Sequence, residues 1–317
     1  MQADLEELAR RTWHRTRWGW ALKCHQGEET FTDINLLDLM RWSTRHRVLK
    51  TSKQDEKHKG TDWEWFIRHR GVWRSFAVQA KKVSPSGRYD ALHHPVKGSS
   101  LVLPGMVIPQ IDVLELYSKL TGAAPLYVLF NHDPTADATT WHCHLSLSSE
   151  QLGCSVADLT FIRTALGTYG GRFFTPIHQG GAAPWRCLVC NCPTRPLQIS
   201  SLISQASEVA DTEVAAMVAT GVSSSTSRIL NLTAQEVVSA LLELPREEVL
   251  ALRGDPAWFQ ETQTDLVEEV RADPDRFLED VLFLNSIKRI LLPKYAVVSN
   301  ADDENAFPRE DAPPQEG

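Results

Sequence analysis

The sequence predicts an α/β fold: a mixed β-sheet core flanked by helices, followed by an all-α C-terminal region. Three observations predict it. Apolar spacing changes from a period near 3.6 to a period of two and back within the first 130 residues. Two short apolar runs, PLYVLFN (125–131) and WRCLVC (185–190), are bounded by turn residues, as strands covered on both faces are. Beyond residue 205 only the helical period remains.

Taken in order, Leu5, Leu8, Ala9, Thr12 and Trp13 recur at three- and four-residue spacing and predict a helix over 4–18. Thr32 is the expected N-cap of a second helix carrying Ile34, Leu37 and Met40, with Leu36 and Leu39 widening the stripe. Trp63, Trp65 and Ile67 then alternate with Asp62, Glu64 and Phe66, which predicts a strand. Gly71 turns the chain, and Val72–Lys82 is its hairpin partner, rich in β-formers. Residues 84–105 carry Ser, Pro and Gly and are expected to be loop. Pro109 opens a helix over Ile111, Leu114, Leu116, Tyr117 and Leu120, which Gly122 ends. The stretch 150–170 is read as partly helical. Helices are expected over Glu208–Thr220, Ala234–Leu244 and Asp265–Leu291, broken by Pro245, Pro256 and Pro274, with Ser223–Ser227 as a hinge. The resulting organisation is a sheet-bearing domain over 1–204, a helical domain over 205–299 and an acidic, proline-rich, disordered tail over 300–317. No internal repeat is visible.

Composition excludes several classes. With 42% hydrophobic and 23% charged residues the chain can bury a globular core. No run approaches the roughly 18 apolar residues that a membrane-spanning helix needs. MQADLEELARR lacks the apolar segment of a secretory signal. Six cysteines are too few for a disulfide framework, so reduced thiols and a cytoplasmic location are expected. The net charge of −7 hides an asymmetry: residues 1–82 hold 17 Lys+Arg against 11 Asp+Glu, residues 83–204 hold 7 against 7, and residues 205–317 hold 9 against 22. A basic N-terminal part joined to an acidic C-terminal part suggests a polyanion-facing surface, although charged faces are often only solvated.

The informative stretch is GTDWEWFIRHRGVWRSFAVQAKK, residues 60–82. Residues two apart in a strand share a face, so Asp62 and Glu64 point one way, as do Gln79 and Lys81 on the partner strand. A hairpin that brings these faces together places an acid, an amide oxygen and an ammonium in one small volume. Hard Mg²⁺ prefers oxygen ligands, and Asp62, the Gln79 side-chain carbonyl and the Ala80 backbone carbonyl can supply them. Lys81 can orient an attacking water or offset charge on a phosphate. A polar pair ending an apolar strand costs free energy unless it is hydrogen-bonded or binds something. The plain alternative is a solvated hairpin edge with an Asp62–Lys81 bridge worth little.

These residues resemble the PD-(D/E)XK nucleases of the restriction-endonuclease-like superfamily, in which Asp opens one strand and Glu/Asp-X-Lys follows on the next. Gln79-Ala80-Lys81 has Gln where most members have an acid, a variant similar to that of some Mrr-like restriction nucleases. The resemblance implies a core of helix, three strands, helix and strand over residues 28–131, with the first strand at Arg47–Ser52. It also implies a further Glu on the helix before the sheet, for which GEETFTD offers Glu29, or Glu28. ETFTD, GTDWEW, QAKK, PLYVLFN and PW-CLVC together resemble an uncharacterised bacterial family placed near these nucleases, over roughly residues 28–193. The expected function is therefore Mg²⁺- or Mn²⁺-dependent hydrolysis of phosphodiester bonds, of DNA, in bacterial defence. Asp62, Gln79, Ala80 and Glu29 would hold the ion, Lys81 would position the nucleophile, and Glu64 would compensate for the charge that Gln79 lacks.

Lys53, Lys57, Lys59, Arg68, Arg70, Arg74 and Lys82 are candidates for contacts to the nucleic-acid backbone. A competing reading keeps the nuclease fold as a non-catalytic adaptor for nucleic acid or protein, prompted by Gln79. The C-terminal helices could serve dimerisation, a regulatory partner, or a brake on the basic half. Cys187, Cys190 and Cys192 with His142, Cys143 and His144 invite a zinc reading, but buried inert thiols fit a strand better. Trp63 and Trp65 are expected in the core, whereas Trp18 and Trp20, set among arginines, are open to either core packing or base stacking.

Overall fold

The computed structural model describes residues 1–50, 61–89, 92, 95–97, 105–136, 148–169, 181–191, 197–246 and 263–308. α1 (Gln2–Ala21) buries Leu5, Leu8, Ala9, Thr12, Trp13 and Thr16, the stripe read from the sequence. It lies so close to a 3₁₀ turn at Ser149–Gly153 that a Cβ on Gly153 would come within 1.9 Å of the Ala9 carbonyl oxygen. α2 (Glu28–Trp42) begins four residues before the expected cap: Gly27 is the N-cap, Glu28 and Glu29 fill the first turn, and Thr32 is buried within the helix. Carboxylates at a helix N-terminus are favoured by its macrodipole, a signal that outweighs the cap preference of Thr32.

β1 (His46–Lys50), β2 (Trp63–His69) and β3 (Val72–Lys82) follow, the last two as the expected hairpin. β4 (Pro95–Lys97) and β5 (Met106–Pro109), partly within the stretch expected to be loop, join a later strand in a small second sheet. α3 (Gln110–Thr121) starts after Pro109 and ends at Gly122, and β6 (Ala124–Phe130) is the predicted buried strand. β7 (Cys154–Asp158) and α4 (Leu159–Tyr169) divide the 150–170 stretch. WRCLVC is not a strand. β8 covers Ala183–Pro184 only and Trp185–Leu188 is a 3₁₀ turn, because a short apolar run carries no period that tells a strand from a buried turn.

The C-terminal part contains α5 (Leu197–Gln205), β9 (Glu208–Val209), α6 (Asp211–Thr220), α7 (Ser224–Leu230), α8 (Ala234–Leu242), β10 (Thr264–Asp265), α9 (Leu266–Ala272), α10 (Asp275–Leu278), α11 (Val281–Leu291) and β11 (Tyr295–Asn300). Ser223 is no hinge residue: its hydroxyl caps α7 by accepting from the Thr226 amide.

The main sheet runs β1-β11-β2-β3-β6-β7-β8, with β9 paired to the start of β3. β2 is antiparallel to β3 and parallel to β11, and β3 is parallel to β6, so the architecture is mixed α/β with C-terminal helices. β11 is the principal departure from an all-α C-terminal region. It enters between β1 and β2, where Ser299 Oγ accepts from Trp65 Nε1 at 2.8 Å and meets His46 Nδ1 at 2.8 Å. Leu5, Phe31, Trp63, Trp65 and Val128 fill the core on one face of the sheet. On the other, Ala77, Tyr127 and Leu129 share a core with Leu114 of α3 and with Val237, Phe283 and Ile287. Residue 205 therefore divides the sequence pattern but not the core. No helix among the described residues is long and apolar enough to cross a membrane.

Candidate functional site

Hairpin register decides which polar groups meet. Trp63 pairs with Val78 and the Asp62 amide donates to the Val78 carbonyl, which puts Asp62 beside the carboxyl end of β3. Its Oδ2 accepts from Gln79 Nε2 at 2.6 Å and from the Ala80 amide at 2.7 Å. Gln79 Nε2 also donates to the Ala80 carbonyl at 3.2 Å, so that expected ligand is already engaged. Gln79 is fully buried, and among the described residues its Oε1 has no hydrogen-bond partner. Lys81, 2% exposed, donates from Nζ to Glu28 Oε1 at 3.1 Å rather than to Asp62. Tyr127, opposite Gln79 on β6, is buried, and neither its hydroxyl nor the buried Thr61 hydroxyl has a partner among the described residues.

Burial pushes the Asp62 carboxyl up to about 7; the Glu28 charge adds to the rise, while Lys81 and the Ala80 amide oppose it. The cluster thus holds two acids, one ammonium and an unsatisfied amide oxygen at the edge of a parallel strand pair. Among the described residues no three His, Cys, Asp or Glu side chains are grouped to hold a metal alone. An ion here would need Gln79 Oε1 beside carboxylate oxygen, and an all-oxygen set of this kind suits a hard divalent cation.

A family model matches residues 1–292. The chain belongs to DUF6615, a family of unknown function. No curated protein and no solved structure matches it.

Not every predicted residue joins the polar cluster of this DUF6615 member. Glu64 shares the sheet face but turns to α7, where it accepts from Ser225 Oγ. Burial raises its carboxyl to about 7, with Ser225, Ser223 and Tyr117 opposing the rise by hydrogen bonding. Glu28, not the preferred Glu29, reaches Lys81; Glu29 is exposed and acts on Asp62 through its charge.

The expected cations are largely occupied. Arg68 pairs with Asp211 at 2.9 Å, Arg74 with Glu208 at 3.4 Å, and Arg70 donates to Asn191 Oδ1. All three sit towards the hairpin turn, six or more residues, or roughly 20 Å, from Asp62 and Lys81. Lys82 Nζ donates to the Gln26 carbonyl at 2.8 Å and stands over Phe31. Lys53, Lys57 and Lys59 lie outside the described residues, as do Cys192, His142, Cys143 and His144. Cys187 and Cys190 are both buried. Trp63 and Trp65 are core, and Trp18 is 57% exposed.

Sequence reasoning missed Tyr127. A phenol inside the otherwise apolar run PLYVLFN was its signal, since a buried hydroxyl calls for a partner.

Proposed function

We propose that this chain is a divalent-metal-dependent nuclease that cleaves phosphodiester bonds of DNA. One observation carries the reading: Gln79 Oε1 is buried and unsatisfied beside Asp62 and Lys81, where leaving an acceptor unpaired costs roughly 1–3 kcal/mol unless something occupies it. Support comes also from the order α2, β1, β2, β3, α3, β6, which is the helix, three strands, helix and strand that the PD-(D/E)XK resemblance implies, with the small sheet inserted.

Asp62 and Gln79 would hold Mg²⁺ or Mn²⁺, with Glu28 in place of Glu29 as the helix-borne acid. When bound, the ion supplies positive charge to the phosphate and acidifies a water. Lys81, fixed by Glu28, places its ammonium where it can orient a nucleophile or meet charge developing on a phosphate oxygen. Burial, and after it the Glu28 charge, push the Asp62 carboxyl up to about 7, and a bound cation would favour its ionised form. A soluble, cytoplasmic role in defence against foreign DNA belongs to the same reading, as does a partner or second copy on the C-terminal helices.

A second reading, a binding-only adaptor, is favoured by one feature: Asp62 Oδ2 already accepts two hydrogen bonds and the Ala80 carbonyl one. Incubating plasmid with protein and Mg²⁺ or Mn²⁺ separates the two. Nicking that Asp62→Ala and Lys81→Ala each reduce by about 10²–10⁴-fold supports the enzyme. DNA binding without cleavage under either ion supports the adaptor.

A further inference from the structure

Beside that site lies a second group of unsatisfied polar atoms. Trp20 packs edge-on against His132 with ring centroids 5.3 Å apart, and Trp13 does so at 4.6 Å. His132 is 9% exposed, and its Nδ1 has no partner among the described residues. Trp20 Nε1 and Gln26 Oε1 are buried and likewise without a partner among the described residues, while the Trp20 side chain remains partly exposed. Gly19 makes this arrangement possible, because a Cβ there would come within 2.7 Å of Gln26 Oε1. Arg17, one helical turn before Trp20, is exposed and pairs with no carboxylate among the described residues.

We propose that the Trp20–Gln26–His132 cluster binds an unpaired nucleobase of a single-stranded nucleic acid whose backbone continues to the Asp62–Lys81 site. A base offers an aromatic face to Trp20 and His132, and on its edge the donors and acceptors that three orphaned atoms lack. An apolar peptide would leave those atoms unsatisfied and would not use the Arg17 cation. A duplex hides its base faces in the stack. The chain itself ties the cluster to the site. The Gln26 carbonyl is held by Lys82, and two residues later Glu28 holds Lys81, a separation of at most about 7 Å along the backbone.

The inference rests on the nuclease reading of that site, so its test omits cleavage. Fluorescence anisotropy in EDTA would compare a labelled single-stranded oligonucleotide with its blunt duplex. The single strand should bind more tightly, and Trp20→Ala should weaken it about tenfold while duplex binding stays unchanged. Gln26→Leu, on a loop, should weaken it severalfold without changing the thermal melt, and it decides the question if Trp20→Ala does not fold. Absence of single-strand binding, equal affinity for the duplex, or a folded Gln26→Leu that binds like wild type each overturns the proposal. Single-strand binding that depends on Gln26 in a protein that never cuts plasmid leaves the cluster standing and removes only the nuclease reading.

Discussion

Two buried polar clusters flank the same sheet, and they are built differently. In one, Asp112 of α3 meets two guanidiniums. Its Oδ1 lies 2.7 Å from Arg163 and its Oδ2 lies 2.9 Å from Arg246. Arg163 also binds Glu115 at 2.6 Å, and Arg246 reaches Asp265 at 2.7 Å and Glu268 at 3.1 Å. In the other, Asp62, Glu28, Gln79 and Lys81 converge but leave Gln79 Oε1 and the Tyr127 hydroxyl unpaired. Burial pushes Asp112 up to about 6, with both guanidiniums opposing the rise. At Asp62 burial and the Glu28 charge act together, and a single ammonium opposes them. A cluster with both Asp112 oxygens paired holds elements together: α3, α4, α9 and the segment after α8 meet there. The Asp62 cluster instead keeps the Gln79 amide oxygen and the Tyr127 hydroxyl without a partner among the described residues.

The largest effect is expected at the Asp112 cluster. Asp112→Ala should leave Arg163 and Arg246 buried without a shared partner and destabilise the protein by about 3–5 kcal/mol, read as the midpoint of urea unfolding. The same assay on Lys81→Ala should cost clearly less; equal losses would mean that both clusters are structural.

Glu64 gives the next largest effect. Its carboxyl titrates near 4.5 unfolded and about 7 folded, so between those values the folded state keeps a proton that the unfolded state has shed. Stability should therefore fall as pH rises from about 4.5 to about 7, by roughly 3 kcal/mol from this group, and level off above. Thermal melts of Glu64→Gln across that range should lack this component of the slope.

Adding Mg²⁺ at ten times its dissociation constant should raise stability by about 1.4 kcal/mol through mass action, visible as a higher melting temperature. Asp62→Ala should abolish the gain, whereas a conservative change in the Asp112 cluster should keep it. The smallest effect is expected at the hairpin turn, where Arg74→Ala removes an exposed pair and should change stability by less than about 1 kcal/mol. Single-strand affinity should stay near wild type as well, since this arginine lies far from the Trp20 cluster.

That Asp62 and Gln79 come together was legible in the sequence because a short hairpin fixes its own register, whereas the Ala80 amide donating to Asp62 was not. Alternation in WEWFI and the turn at Gly71 set which residues face each other, and the spacing from Asp62 to Lys81 follows. The α1 stripe and the buried strand at PLYVLFN were legible for the same local reason. Arg68 and Arg74 were legible only as charges: their partners Asp211 and Glu208 lie more than 130 residues on in the chain.

What the amino-acid order determined by itself was therefore whatever periodicity and turn chemistry can fix within some twenty neighbouring residues: the hairpin, its polar pair and the helices around it. Tertiary structure alone decided that β11 would enter between β1 and β2, that Glu64 would turn to Ser225 rather than to Asp62, and that the 205–308 segment would close the core over α3. Those contacts join residues more than 100 positions apart, where no local pattern records the partner and packing of the whole chain selects it.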